Sequence, residues 1–114
     1  MTEIAAVTID CEDPQRLAGF WAQVLGVAVS GDYGQYVFLE SGGEGKPTLA
    51  FQQVPDPTPG KNRVHVDLRA DDRPAEVARL TDLGATYLTE QEMGGFAWTV
   101  LADPEGNQFC VVAG

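Results

Sequence analysis

Ile4-Ala5-Ala6-Val7-Thr8-Ile9-Asp10-Cys11 runs through Glu12-Asp13-Pro14-Gln15-Arg16-Leu17 and Phe20-Trp21 to Val24-Leu25-Gly26. Val7, Ile9 and Cys11 fall on one side of an extended chain and Ala6, Thr8 and Asp10 on the other, the period of a half-buried strand. Asp13 followed by Pro14 supplies an N-cap and a proline in the first turn. Leu17, Phe20, Trp21, Val24 and Leu25 then recur at i, i+3, i+4, i+7 and i+8, so one stripe of a helix is apolar. Gly26 ends it where a left-handed residue costs least.

The pattern is repeated. Val64, Val66 and Leu68 alternate with His65, Asp67 and Arg69 between Arg63 and Arg69. Asp71-Asp72 offers a cap, Pro74 stands in the first turn, Val77, Leu80 and Leu83 form a stripe, and Gly84 stops the helix. Leu25-Gly26-Val27 matches Leu83-Gly84-Ala85 at about half the chain length, the mark of an internal repeat. Three strands are expected after each helix: Val27–Ser30, Gln35–Glu40 and Thr48–Val54, then Thr86–Thr89, Phe96–Leu101 and Gln108–Val112. Asp103-Pro104-Glu105-Gly106-Asn107 joins the last two as a hairpin. Ser41–Lys46 reads as a loop, and the prolines of 55–62 as a stiff linker. The sequence therefore predicts an α+β chain of two tandem βαβββ units, 1–54 and 63–114, forming one domain over 1–114.

With 114 residues and 44% hydrophobic content, the chain has material for one core. Seven Lys plus Arg against 17 Asp plus Glu give a formal charge of −10. Such a surface repels phosphate backbones and anionic lipid, which argues against nucleic-acid and membrane partners. Met-Thr-Glu-Ile lacks a signal-peptide layout, no apolar run approaches the ~20 residues of a spanning helix, and Cys11 and Cys110 show no paired spacing. Two reduced thiols in a cytoplasmic protein is the expectation.

Paired βαβββ units of this wording resemble the vicinal oxygen chelate superfamily, which includes glyoxalase I, the bleomycin-resistance proteins and extradiol dioxygenases. The resemblance rests on Asp13-Pro14-Gln15-Arg16-Leu17 with Phe20-Trp21 and Val24-Leu25-Gly26, on Phe51-Gln52-Gln53-Val54-Pro55, and on Gly60-Lys61-Asn62-Arg63-Val64-His65-Val66-Asp67-Leu68. Leu83-Gly84-Ala85 and Asp103-Pro104-Glu105-Gly106-Asn107-Gln108-Phe109-Cys110 extend it over nearly the whole chain. These stretches look like the actinobacterial glyoxalase-like branch. The resemblance implies an open, curved mixed sheet enclosing a ligand site, commonly in a homodimer. In metal-dependent members it also implies a divalent ion held by four side chains, one from the first and one from the last strand of each unit.

Carried onto this sequence, those four positions fall on Ala6, within Leu49–Gln53, on His65 and on Cys110. Ala6 has no donor, and only the amides of Gln52 and Gln53 serve the second position. The expectation is no cofactor and no metal of the usual kind. A site rebuilt from Asp10, His65, Asp67 and Cys110 is the alternative. Asp10, Phe51, His65, Asp67, Trp98 and Cys110 are the candidate ligand-binding residues, with His65 the candidate acid or base near neutral pH. A strand histidine is ordinarily structural, however, and a buried thiol ordinarily a small hydrophobe. Phe96, Trp98 and Val100 share a face that alternation alone does not turn inward or outward. The leading functional reading is a small-molecule binder that lacks the usual metal. Its rivals are a metal-dependent lyase, isomerase or dioxygenase with a rearranged site, and a metal-free enzyme using His65.

Overall fold

Alternation and capping produce the same order of elements twice. In the computed structural model, which describes residue 1 and residues 3–113, the first unit contains β1 (Ala6–Cys11), α1 (Pro14–Leu25), β2 (Val29–Asp32), β3 (Tyr36–Leu39) and β4 (Thr48–Gln53). The second contains β5 (Asp67–Ala70), α2 (Arg73–Leu83), β6 (Thr86–Met93), β7 (Phe96–Ala102) and β8 (Gln108–Ala113). The sheets are ordered β1-β4-β3-β2 and β5-β8-β7-β6. In each, the first and last strands of the unit run parallel and the other pairs antiparallel. The two compact units are Met1–Pro57 and Thr58–Gly114, dividing inside the proline-rich stretch.

α1 is capped as its sequence dictates. The Asp13 carboxylate accepts from the Arg16 backbone N–H at 3.1 Å, and Gly26 closes the helix at φ 66°, ψ 36°. Its stripe buries Leu17, Phe20, Trp21 and Val24 against β3 and β4. Phe20 and Trp21 meet edge to face, with centroids 5.4 Å apart, a favoured aromatic geometry. Cys11, Val37, Leu39 and Phe51 complete this core. In the second unit, the Asp72 carboxylate accepts from the Ala75 N–H at 3.1 Å. α2 packs on β8, and the core gathers Leu80, Leu101, Phe109 and Val111. Cys11 and Cys110 are both buried and are not joined in a disulfide. Among the described residues, no helix is long and apolar enough to cross a membrane.

Three departures from the sequence reading have local causes. β2 begins at Val29 rather than Val27, because the Val27 N–H still bonds the Ala22 carbonyl of the helix. β5 begins at Asp67 rather than Arg63. The Asn62 side chain takes over the pairing that residue 63 would have begun, donating to the Gln108 carbonyl at 3.0 Å and accepting from the Gln108 N–H at 2.7 Å. β6 continues four residues past Thr89, because Gly94 and Gly95, at φ 59° and 78°, make a two-residue turn that brings Met93 opposite Phe96. Within β6 the register shifts between Tyr87 and Thr89, leaving Leu88 as the extra residue of a bulge.

Candidate functional site

The sheet of the second unit has one face under α2 and one face open. Thr99, Leu101, Phe109 and Val111 take the helix side and are all buried. The alternating set, Trp98 and Val100 on β7 with Gln108, Cys110 and Val112 on β8, lines a pocket of about 520 Å³ on the other side. Beyond the bulge, Thr89 stands opposite Val100 and Gln91 opposite Trp98, so both β6 residues join the pocket. Phe96 and Trp98, with ring centroids 6.0 Å apart and planes tilted by 41°, form its aromatic wall. Lys61, His65 and Asp67 close the other side.

The chemistry concentrates where β5 meets β8. Asp67 is the parallel-register partner of Cys110, which puts both side chains on one face of neighbouring strands. His65, two residues earlier, projects to the same side, and its Nε2 lies 3.3 Å from Asp67 Oδ1. Alternate residues along a strand are spaced ~7 Å apart. The direct contact arises because a long imidazole and a carboxylate lean together where the ladder has not yet begun. The two side chains are 44% and 58% exposed, whereas Cys110 is only 6% exposed. Burial pushes the Cys110 thiol up from its ordinary value, and the Asp67 charge and a hydrogen bond to that carboxylate push it further; Lys61 pulls the other way. The thiol is therefore held protonated, the reverse of what a nucleophilic cysteine needs.

Four of the six residues singled out in the sequence thus meet here: His65, Asp67, Trp98 and Cys110. Phe51 does not. It is 0% exposed, paired between Ile9 and Val37 in the core of the first unit, so it is a packing residue and not a stacking wall. Asp10 is exposed on β1 beside Gln52 and is not among the residues lining this pocket. Lys61, Thr89 and Gln91 were outside the sequence reading. The available signal for the β6 pair was Gly94-Gly95, whose two-residue loop requires strand on both sides.

The four-ligand divalent centre does not fit this chain. Ala6, paired with Thr48 on β1, brings a methyl group where a donor is required, and among the described residues the His, Cys, Asp and Glu donors that converge, His65, Asp67 and Cys110, all belong to the second unit.

Two βαβββ units, each with its first strand parallel to its last in a four-stranded mixed sheet, make this the α+β fold of the glyoxalase/bleomycin-resistance type. The chain belongs to the family described as "Glyoxalase-like domain", whose model matches residues 6–112. Among solved structures it is similar to a glyoxalase/bleomycin resistance protein/dioxygenase family enzyme from Burkholderia phytofirmans, at 22% identity and TM-score 0.82, covering 98% of each chain. It is also similar to a genomically encoded fosfomycin resistance protein from Listeria monocytogenes, at 13% identity and TM-score 0.79, covering 100% of this chain and 94% of that one. A bleomycin-binding protein complexed with bleomycin matches at 19% identity and TM-score 0.69, covering 99% of both. No curated protein sequence matches the chain.

Proposed function

We propose that the protein binds a small organic molecule in the pocket of its second unit, without the four-ligand divalent centre. The observation that carries this reading is one sheet face holding both an aromatic wall, Phe96 and Trp98, and convergent polar groups from His65, Asp67, Gln91 and Gln108. A flat apolar portion of the ligand stacks on the wall, while its polar atoms meet the amides and the His65–Asp67 pair. The kinship with a protein solved with bleomycin supports binding as the role. The raised thiol of Cys110 argues against covalent catalysis there.

Fluorescence titration of metal-chelated protein with bleomycin and a panel of aromatic amines tests the reading. Trp98 should be quenched, and Trp98→Leu should weaken binding by about tenfold or more. Unchanged affinity in that variant, or no quenching by any compound, refutes it. The same reading takes the molecule as a homodimer. β6 is the edge of its sheet and every one of its residues is exposed, which leaves a free strand edge. Sedimentation as a monomer at micromolar concentration would remove that part.

A further inference from the structure

We propose that Arg73 and Thr99 are positioning residues for the pocket: by fastening Glu90 on the helix side of the sheet, they confine the β6 bulge to the N-terminal side of Glu90 and so hold Thr89 toward the ligand. Arg73 Nη1 donates to Glu90 Oε2 and, at 2.7 Å, to Thr99 Oγ1. The Thr99 hydroxyl donates in turn to Glu90 Oε1 at 2.7 Å, which closes a ring of three side chains. Thr99 is 0% exposed and stands opposite Glu90 in the β6–β7 ladder, so the ring is anchored in the core. Arg73 is the first residue of α2, where the helix dipole disfavours a cation. Its place there is explained by Glu90 and Thr99, not by the helix.

The fastening matters because β6 has a second workable register. It is an edge strand with every residue exposed, so burial does little to specify its pairing. With the bulge moved past Glu90, Leu88 stands opposite Val100 and Thr89 opposite Thr99, while the Gly94-Gly95 turn is unchanged. That arrangement lays Leu88, now 42% exposed, against an apolar pocket residue and pairs two threonines across the strands, both favourable. What it forfeits is the ring, since Glu90 no longer faces Thr99. The pocket would then exchange the Thr89 hydroxyl for an apolar side chain. The consequence for binding rests on the pocket reading above, whereas the register itself does not.

A charge exchange tests this in the full-length protein, with the register read from nuclear Overhauser contacts and binding from titration with bleomycin. The Thr89 and Thr99 methyl groups project to opposite faces in the present register and to the same face in the other. Arg73→Glu, which sets two carboxylates against each other, should bring those methyls into contact and weaken bleomycin binding by about tenfold. Adding Glu90→Arg restores the pair with its charges exchanged and should return both readouts to wild type, a rescue that simple loss of helix packing would not give. Should Arg73→Glu fail to fold by circular dichroism, Arg73→Met decides the register instead. Thr89 and Thr99 methyls that stay apart in the single variant, or a double variant that does not recover, overturn the proposal. A moved register with unchanged bleomycin binding upholds the fastening and counts against the pocket reading, so either can fail alone.

Discussion

The two units share a backbone plan and differ in what they do with it. Their N-cap aspartates, Asp13 and Asp72, stand 59 residues apart, and their helix-ending glycines 58, because α2 is one residue shorter than α1. At the N-cap offset, His65 and Asp67 correspond to Ala6 and Thr8. The parallel registers, Asp67 with Cys110 and Thr8 with Ala50, make Ala50 the counterpart of Cys110. Where the second unit presents imidazole, carboxylate and thiol, the first presents methyl, hydroxyl and methyl. The helices differ in the opposite sense: α1 buries Leu17, Phe20, Trp21 and Val24, while α2 fully buries Leu80 alone. One copy of the repeat buries more of its helix, the other lines a pocket with polar groups.

Paired tryptophan variants are the most severe way to break that contrast. Trp21→Ala should cost about 3–5 kcal/mol in denaturant unfolding through the cavity it leaves. Trp98→Ala, half-buried at a pocket wall, should cost about 1–2 kcal/mol and lose ligand binding. Equal costs would erase the division between frame and site. A triple exchange of His65→Ala, Asp67→Thr and Cys110→Ala gives the second unit the first unit's side chains. Its stability should stay within about 1 kcal/mol of wild type while binding in the pocket weakens by about tenfold. A collapse in stability would show that the cluster is structural.

The smallest effect concerns acid. The Thr99 hydroxyl donates to Glu90 at 2.7 Å, and Arg73 pairs with the same carboxylate. Thr99 first and Arg73 after it hold Glu90 below its ordinary value of 4.5, against the opposing pull of burial. Because the folded value lies below the unfolded one, this contribution is present above pH ~4.5 and is lost as pH falls through the folded value. Glu90→Gln should therefore flatten the decline of the thermal midpoint below pH ~4.5. A decline as steep as wild type would assign the acid sensitivity to other carboxylates.

Much of the fold was legible because its signals are local. Asp13-Pro14 with Gly26, and Asp72 with Pro74 and Gly84, mark helix ends whose hydrogen bonds close within four residues. Strand limits were harder, since a strand ends where its partner does. Asn62 replaced a ladder bond with its own amide, and nothing between 63 and 66 announces that. Phe51 and Trp98 show the same limit for the site. Both are aromatic residues on alternating strands, yet one lies under a helix and the other on the open face. The choice depends on which side each helix covers and on bulges that reset alternation. The His65–Asp67 contact was hidden for another reason: Cα spacing says little about long side chains that lean together.

The bulge at Leu88 has an evolutionary consequence. Deleting Leu88 would leave Thr89 opposite Val100 and Gln91 opposite Trp98, so the pocket wall would survive a change in chain length. Deleting Glu90 instead, with the Gly94-Gly95 turn still holding Gln91 opposite Trp98, would move Thr89 opposite Thr99 and bring Leu88 opposite Val100, exchanging a hydroxyl for an apolar side chain. Loss of a single codon is thus silent at one position, while two positions later it makes the pocket wall more apolar.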